Sequence, residues 1–270
     1  MRRRSFFKTA AFAPILLNPS KMFAQDFDLI IRSGRLIDPS LNLDTVDDVG
    51  ILIGRIANIA PSIVSDGADE INAVNKIVIP GLLDIHSHYA RDDQGPHICL
   101  SDGVTGWVDA GSAGADNIDE IVAVARSAPQ QARILLNIGR LGVIPEGDTA
   151  DISLANVEVA KSAIARNLDY VVGVKARLTS GVTANDILVI RRAQEVASYF
   201  KLPLMIHMGQ SESTMPSLLA ELKPGDVVTH MYAPPPNAII DEGGRIFSEV
   251  LEARRRGIWS VSYTHLTLPT

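Results

Sequence analysis

The sequence predicts an α/β fold, namely an incomplete (β/α)8 TIM barrel that lacks its final strand, preceded by a small N-terminal β-sandwich module. Three observations predict this fold. From residue 77 onward, apolar runs alternate with amphipathic segments about seven times, as in a parallel sheet with crossover helices. Residues 27–78 contain only short apolar runs broken by turn residues, which indicates strands without helices. About 190 residues follow residue 80, whereas such barrels usually need about 250.

The composition excludes several classes of protein. Apolar residues make up 46% of the chain and charged residues 21%, which is a globular composition and not that of a disordered or collagen-like chain. No uncharged apolar stretch reaches the roughly 18 residues of a membrane-spanning helix, so a polytopic membrane protein is excluded. The net charge is −6, and it becomes −11 without the five basic residues of 1–24, which argues against nucleic acid as a partner. The lone Cys99 excludes an internal disulfide and a cysteine-based zinc site.

Residues 1–24 are expected to be an export signal. Arg3 and Arg4 open the segment, a mildly apolar stretch runs from Thr9 to Leu17, and Ala24 offers a small residue at a plausible cleavage point. This order resembles the bacterial twin-arginine signal, so we expect an exported, periplasmic protein with no membrane span after the signal is removed. A mitochondrial transit peptide and a disordered basic arm are the alternatives.

The rest of the chain is expected to comprise the β module at 25–79, the partial barrel at 80–259 and a tail at 260–270. The barrel strands are predicted at 77–85, 104–108, 133–138, 170–174, 203–206, 226–228 and 257–261. The amphipathic segments that predict helices are 117–126, 152–167, 184–200 and 242–256. The tail resembles a translated sequencing-adapter sequence and is expected to be non-native, with a native, short C-terminus as the alternative.

Two architectures fit a repeated strand and helix pattern, an open doubly wound sheet and a barrel. The open sheet usually has a glycine-rich phosphate turn after its first strand. In this sequence His86-Ser87-His88 occupies that place. The barrel is therefore favoured.

Four histidines and one lysine stand at the ends of successive predicted strands. His86 and His88 are two residues apart on the first barrel strand, so their side chains share a face. Lys175, His207 and His230 each follow a later strand. Any one of them alone would be explained as a buried polar group or a solvated lysine. Because the carboxyl ends of barrel strands meet at one mouth, the five together predict a metal site.

The stretches that carry these residues resemble the amidohydrolase superfamily of metal-dependent hydrolases. The resembling segments are 80–88, 103–105, 108–115, 172–177, 204–207 and 228–230. Segments 109–115 and 175–177 are most similar to the deacetylase-like branch, which is related to dihydroorotases and D-aminoacylases. The resemblance extends over about residues 27–259 and includes the β module.

The resemblance implies a binuclear metal centre. His86 and His88 would bind the more buried metal, His207 and His230 would bind the more exposed one, and Lys175, carboxylated by carbon dioxide to a carbamate, would bridge the two. Two divalent ions, expected to be zinc, would share a bridging hydroxide that attacks a carbonyl carbon. The implied enzyme hydrolyses a carbon–nitrogen (non-peptide) or ester bond of a small-molecule substrate, as a deacetylase or a cyclic amidase does.

One part of the family pattern has no counterpart in the sequence. The family places a catalytic aspartate at the end of the eighth strand, and no residue here matches it, so the catalytic residue stays unassigned. Asp84 and Asp109 do not match that role and are expected to give hydrogen-bonding support. A truncated, non-catalytic barrel that binds a metal or a ligand is therefore the alternative function. A mononuclear deaminase is disfavoured, because such sites do not usually need the lysine.

Arg177 is the candidate for substrate binding. It lies two residues after Lys175 and could share its face, where a guanidinium could hold a substrate carboxylate through two hydrogen bonds. An ion pair with a loop acid is an equal alternative. Tyr89 and Tyr232 could line the pocket or simply pack. The sequence leaves the oligomeric state open, a homo-oligomer included.

Overall fold

The structure, a computed structural model, describes residues 26–262. The predicted export signal at 1–24 and residues 263–270 of the predicted tail lie outside this range. Between residues 26 and 262 the chain divides into two compact units, with the division between Pro80 and Gly81. No helix in the described part of the chain combines the length and the apolar character needed to cross a membrane.

The first unit is a mixed sheet of five strands. Its strands are β1 (Leu29–Asp38), β2 (Leu43–Leu52), β3 (Arg55–Ala60), β4 (Asp69–Asn72) and β5 (Ile77–Val78). Strand β1 is central, since it pairs antiparallel with β2 and parallel with β4 and β5, while β3 pairs with the outer side of β2. Phe27, Ile30 and Ile63 form its small buried cluster. The first unit is thus a single mixed sheet, which is consistent with the predicted N-terminal β module.

The second unit alternates parallel strands with helices, as predicted. Its strands are β6 (Leu82–Ser87), β7 (Val104–Ala110), β8 (Gln131–Asn137), β9 (Val171–Leu178), β10 (Leu204–Met208), β11 (Val227–Thr229) and β12 (Trp259–Val261). Its helices are α1 (Gly95–Ser101), α2 (Ile118–Ser127), α3 (Val157–Arg166), α4 (Asp186–Phe200), α5 (Met215–Ala220) and α6 (Ser248–Arg255). The sequence pattern did not predict α1 and α5, which are only seven and six residues long.

The seven strands of the second unit stand in sequence order from β6 to β12, and every pairing is parallel. A doubly wound sheet reverses its strand order at a switch point. No reversal occurs among these strands, so the open doubly wound alternative is excluded. Ser260 and Val261, the first residues of the predicted tail, lie in β12.

The predicted first barrel strand at 77–85 is wrong in one respect, because the structure divides it. Ile77 and Val78 form β5 and pair with β1 in the first unit. Strand β6 begins only at Leu82. Pro80 cannot donate a backbone hydrogen bond, which explains why no single strand continues through it.

The seven-stranded sheet is curled. His86 at the end of β6 hydrogen-bonds to Thr229 at the end of β11, with 2.5 Å between Nδ1 and Oγ1. These strands are five positions apart in the sheet, which would place them roughly 24 Å apart if the sheet were flat. Strands β6 and β12 are not paired with each other in the described residues, so this curled sheet is open.

Residues of the sheet alternate between an outer and an inner face. The outer side chains, such as Leu136, Val174 and Ile206, are fully buried in the main core beneath the helices. The inner face holds a small layer of Ala110, Leu135 and Met205. Because the inner layer is so small, the interior near the carboxyl ends of the strands has room for polar side chains.

Helix α4 shows how the sequence fixes one of these outer helices. Asn185 caps it, since its side-chain oxygen accepts a hydrogen bond from the backbone N–H of Leu188. Val189, Ala193 and Val196 recur at helical spacing and are fully buried. This packing holds the strands on either side of the helix, which carry Lys175 and His207.

Candidate metal centre

A cavity of about 270 Å³ lies inside the curled sheet at the carboxyl ends of its strands. The five nitrogen-bearing residues predicted from the sequence all line it, and the set is His86, His88, Lys175, His207 and His230. They are up to 144 positions apart in the sequence, and four of them stand at or next to strand ends, whereas Lys175, predicted to follow a strand, lies within β9. The remaining lining residues are Ala110, Asn137, Val143 and Arg177. The structure therefore brings the whole predicted set together.

The four imidazoles stand close to one another. The ring centroids of His86 and His88 are 5.8 Å apart, and those of His86 and His230 are 5.1 Å apart. The rings of His207 and His230 are closest, at 4.1 Å. At these distances the nitrogens of neighbouring rings can reach the same cation. The rings must be neutral for this, because protonated imidazoles would repel a cation.

Two hydroxyl groups, which the sequence analysis missed, orient two of these rings. Thr229 Oγ1 lies 2.5 Å from His86 Nδ1, and Ser112 Oγ lies 2.6 Å from His88 Nδ1. A partner at Nδ1 leaves Nε2 as the nitrogen that can bind a metal. Both residues stand inside the segments that carry the family resemblance, and this was the signal that could have found them.

Lys175 is buried at the centre of β9. Its Nζ lies 3.2 Å from His86 Nε2 and 3.6 Å from Met205 Sδ. Burial lowers the pKa of Lys175 to about 7, although the charges of Asp109 and Asp148 oppose this change. A substantial fraction of its amine is therefore neutral near pH 7.

Gly111 makes room for the lysine. Its φ of +82° is a left-handed conformation that glycine adopts without strain. A Cβ atom at this position would lie 2.7 Å from Lys175 Cβ and 2.8 Å from Lys175 Cγ. The path of the lysine stem thus depends on a glycine that directly follows β7, two strands away from β9 in the sheet.

The buried histidines are neutral. Burial, followed by the nearby charge of Lys175, lowers the pKa of His86 to about 2 and that of His88 to about 4. Burial, followed by the charge of His230, lowers the pKa of His207 to about 2. At neutral pH each of these three rings has one nitrogen lone pair available to a cation.

The fit of the cavity to a metal ion depends on its four imidazoles and its lysine. Within residues 26–262, no three His, Cys, Asp or Glu side chains stand in an arrangement that could hold one ion. The cavity instead offers imidazoles together with a buried lysine. These residues fit divalent cations if the lysine supplies anionic oxygen ligands in addition to the imidazole nitrogens.

Comparisons with known proteins agree with this geometry. No protein-family model matches the chain. A deacetylase of Enterococcus faecalis is 30% identical over 225 residues, which are 80% of this chain and 60% of the deacetylase. The crystal structure of an adenine deaminase has a TM-score of 0.79 and 28% identity, with 88% of this chain and 66% of that chain covered. These similarities support a deacetylase-like member of the amidohydrolase superfamily.

A solved dihydroorotase structure is similar in fold to this chain. Its TM-score is 0.74 at 22% identity, and the match covers 87% of this chain and 65% of that chain. This likeness concerns the fold alone. The chain spans about 60% of the length of the curated deacetylase.

Arg177 lines the cavity and also forms the ion pair that the sequence left open. Its Nη2 donates to Asp148 Oδ1 at 2.6 Å and to the backbone oxygen of Ile144 at 3.3 Å. Asp148 is completely buried and also accepts a hydrogen bond from Asn137 at 2.8 Å. The guanidinium is therefore held in place before any ligand arrives.

A second cavity of about 510 Å³ shares Arg177, His207 and His230 with the first. Tyr232 lines this second cavity and is 69% exposed. Tyr89 lines neither cavity and instead packs with its ring 6.3 Å from that of Trp107. The two cavities therefore adjoin each other at these three residues.

The remaining candidates lie around the cavity and do not line it. Asp84 accepts a hydrogen bond from the backbone N–H of His86 at 3.0 Å. Asp109 is fully buried and accepts two hydrogen bonds from Ser112. His97 is exposed on α1. Asp84 and Asp109 thus support the backbone and the side chains near the two first-strand histidines.

Proposed function

We propose that this chain is an amidohydrolase, an enzyme that hydrolyses an amide or ester bond of a small molecule, as a deacetylase or a cyclic amidase does. One observation carries the proposal, namely four imidazoles and a buried lysine around one cavity at the carboxyl ends of parallel strands. The similarity to a deacetylase supports the same class of reaction.

We also propose that the curled sheet is the larger part of a (β/α)8 TIM barrel. The strands follow one another in sequence order, and side chains of β6 and β11 meet across the interior. An eighth strand between β12 and β6 would close the sheet and satisfy both open edges.

The proposed cofactors are two divalent cations, with zinc favoured because imidazole suits it. His86 and His88 would hold one ion, and His207 and His230 would hold the other. When bound, such ions lower the pKa of water toward about 7 and polarise a carbonyl group. The lowered pKa values of His86, His88 and His207 give these three imidazoles the neutral form that this binding requires.

Lys175 is proposed to become a carbamate. Its neutral amine adds to the carbon of carbon dioxide and releases one proton, which leaves an anionic group with two oxygens. The amine is available because burial lowers the pKa of Lys175 to about 7. The product supplies the oxygen ligands that the imidazole set lacks.

Arg177 is proposed to bind an anionic group of the substrate. It lines both cavities, and none of the described residues that line them is an aspartate or a glutamate. Its ion pair with Asp148 fixes the guanidinium, and no described residue accepts a hydrogen bond from its Nε. A substrate carboxylate in the second cavity would therefore meet a preoriented cation.

The amino-terminal sequence supports a further proposal, that the protein is exported to the periplasm through a twin-arginine-like signal. Replacing Arg3 and Arg4 by lysines should keep the protein in the cytoplasm. Cell fractionation measures this. An unchanged distribution would contradict export by that route.

The central test compares metal content and turnover. The chain is purified and its zinc, iron and manganese contents are measured, together with hydrolysis of a panel of N-acetyl amides, cyclic amides and acetyl esters. We expect about two ions per chain, and a His86→Ala, His88→Ala double variant should lose at least about one ion and about a thousandfold in rate. His97→Ala is the matched control and should change neither quantity.

Two outcomes of this experiment would overturn the proposal. One is a chain that binds no divalent ion while it is folded. The other is a chain that binds ions but hydrolyses none of the substrates in the panel, which would favour the non-catalytic binding barrel.

A further inference from the structure

A hydrogen-bonded chain of three residues links a buried carboxylate to a ring in the cavity. Asp109 Oδ1 accepts the backbone N–H of Ser112 at 2.7 Å, and Asp109 Oδ2 accepts the Ser112 hydroxyl at 2.8 Å. The same hydroxyl oxygen lies 2.6 Å from His88 Nδ1. Asp109 is fully buried, so no water competes for these contacts.

The direction of these hydrogen bonds follows from which of the three groups can donate a proton and which can only accept one. An ionised carboxylate only accepts hydrogen bonds, so the single hydroxyl proton of Ser112 points to Asp109. The oxygen of Ser112 must then accept a hydrogen bond, and the donor is the N–H at His88 Nδ1. Burial raises the pKa of Asp109, and the hydrogen bonds from Ser112, the charge of Arg91 and the backbone N–H of Ala90 oppose this change. The hydrogen bonds run in this direction when Asp109 is ionised.

We propose that Asp109 is a positioning residue that acts through Ser112 to select the His88 tautomer whose Nε2 carries the lone pair. This inference rests on the proposed metal-dependent function. It adds that the neutral ring is prepared for a cation before the cation binds, because the other tautomer would present an N–H to it.

The backbone N–H of Ser112 can only donate a hydrogen bond, so exchanging one carboxylate oxygen of Asp109 for an NH2 group changes the direction of the whole hydrogen-bonded chain. Asn at position 109 has one oxygen and one NH2 group in place of two oxygens. The backbone N–H of Ser112 cannot reverse, so the amide oxygen must face it and the NH2 group must face the Ser112 hydroxyl. Ser112 then accepts from the amide and donates its proton to His88 Nδ1. Asp109→Asn should therefore reverse the tautomer of His88 with little change of shape.

The tautomer can be observed directly. The full chain is labelled with isotopic nitrogen in histidine, freed of metal and examined by long-range proton–nitrogen NMR at neutral pH, with the His88 signals assigned by their loss in His88→Gln. We expect the proton on Nδ1 in the natural sequence and on Nε2 in Asp109→Asn. Zinc affinity, measured by competition with a chelator, should fall about 10–100-fold in Asp109→Asn.

Three further variants separate this role from a merely structural one. Ser112→Ala should leave His88 as a mixture of tautomers, and Ser112→Thr should restore the Nδ1–H form because it keeps the hydroxyl. Ser87→Ala is the matched control, since this buried hydroxyl donates to the backbone oxygen of Val108 and not to a ring. It should leave both the tautomer and the zinc affinity unchanged.

The outcomes are decisive in both directions. A proton on Nε2 of His88 in the natural sequence, or a folded Asp109→Asn chain with an unchanged tautomer, would overturn the inference. If Asp109→Asn does not fold, an Nδ1–H tautomer that persists in Ser112→Ala would overturn it instead. A chain with the expected tautomers that binds no zinc would contradict the proposed function and leave the tautomer selection intact.

Discussion

The two histidine pairs of the cavity are held in different ways. On one side, His86 and His88 each have a hydroxyl oxygen at Nδ1, from Thr229 and Ser112. On the other side, the ring of His207 lies 4.1 Å from the ring of His230, and no described hydroxyl contacts the ring of His207. The first pair is oriented by the protein itself, whereas the orientation of His207 depends more on what binds there.

In the proposed metal centre Lys175 serves both sides, so its loss should have the largest effect. Lys175→Ala removes the side chain that would bridge the two ions, and both ions should be lost or weakened together. We expect metal content to fall from about two ions to well below one, and turnover to fall about a thousandfold. Elemental analysis and steady-state kinetics measure these quantities.

Lys161→Ala is the control for this change, because Lys161 forms exposed ion pairs with Glu158 and Glu195. Its metal content should remain that of the natural chain. If Lys175→Ala loses only the ion of one side, the lysine does not serve both pairs. Retention of both ions and of full turnover would contradict the bridging role.

The second prediction concerns pH and the metal-free chain. The pKa values of His88 and His207 are lowered to about 4 and about 2 by burial, so the unfolded chain binds more protons than the folded chain below about pH 6.5. The free energy of unfolding should therefore fall as the pH is lowered from about 6.5 to about 4. Urea unfolding in the presence of a chelator measures this at several pH values.

Single variants assign this pH dependence to one side or the other. His88→Gln and His207→Gln should each flatten it between about pH 6.5 and pH 4, and below about pH 4 only His207→Gln should still do so. His97→Gln, an exposed change on α1, should leave it unaltered. An equally steep dependence in all three variants would show that these buried rings are not its source.

The third prediction tests the space beside the shared lysine. Gly111→Ala should lower the free energy of unfolding by about 2–5 kcal/mol, because it adds a strained φ and a collision with the Lys175 stem. Gly181→Ala has a similar φ of +77° but meets no atom within 4 Å, so it should cost only about 1–2 kcal/mol. If urea unfolding shows the same loss of unfolding free energy in both variants, the Lys175 side chain moves aside at little energetic cost.

The smallest expected effect belongs to one orienting hydroxyl. Thr229→Val keeps the shape but removes the partner of His86 Nδ1, and zinc affinity should fall about 10–100-fold on that side. Thr183→Val is the matched control, since among residues 26–262 this buried hydroxyl has the hydroxyl of Thr149, at 2.9 Å, as its hydrogen-bond partner and does not contact a histidine ring. Isothermal titration with zinc measures the affinity of both variants. Equal zinc affinities of Thr229→Val and Thr183→Val would remove the distinction drawn here between the two histidine pairs.

The sequence could predict the cavity because its residues follow strands. In a parallel sheet the carboxyl ends of strands meet, so residues as distant as His86 and His230 could be placed together from the strand pattern alone. The apolar inner layer below them follows from the alternation along each strand. The order of the strands, by contrast, could only be inferred from His86-Ser87-His88 in place of a glycine-rich turn.

The contacts that orient the site could not be predicted in the same way. The partnership of Ser112 with His88, and of Asp148 with Arg177, depends on the paths of loops that have no periodic pattern. The error at 77–85 has a similar origin, since a continuous apolar run concealed the interruption at Pro80. Individual hydrogen bonds can be identified only from atomic coordinates, whereas the ends of strands can be predicted from the periodicity of the sequence.

The curled sheet has a consequence for how such a protein can change over generations. Four of the five nitrogen donors stand at or next to the end of a strand and Lys175 lies within β9, so the donors are fixed by the rigid sheet and the segments beyond the strands are free to vary. New specificities can then arise by exchange of connecting segments, such as the one that carries Tyr232, while the cation chemistry is inherited unchanged.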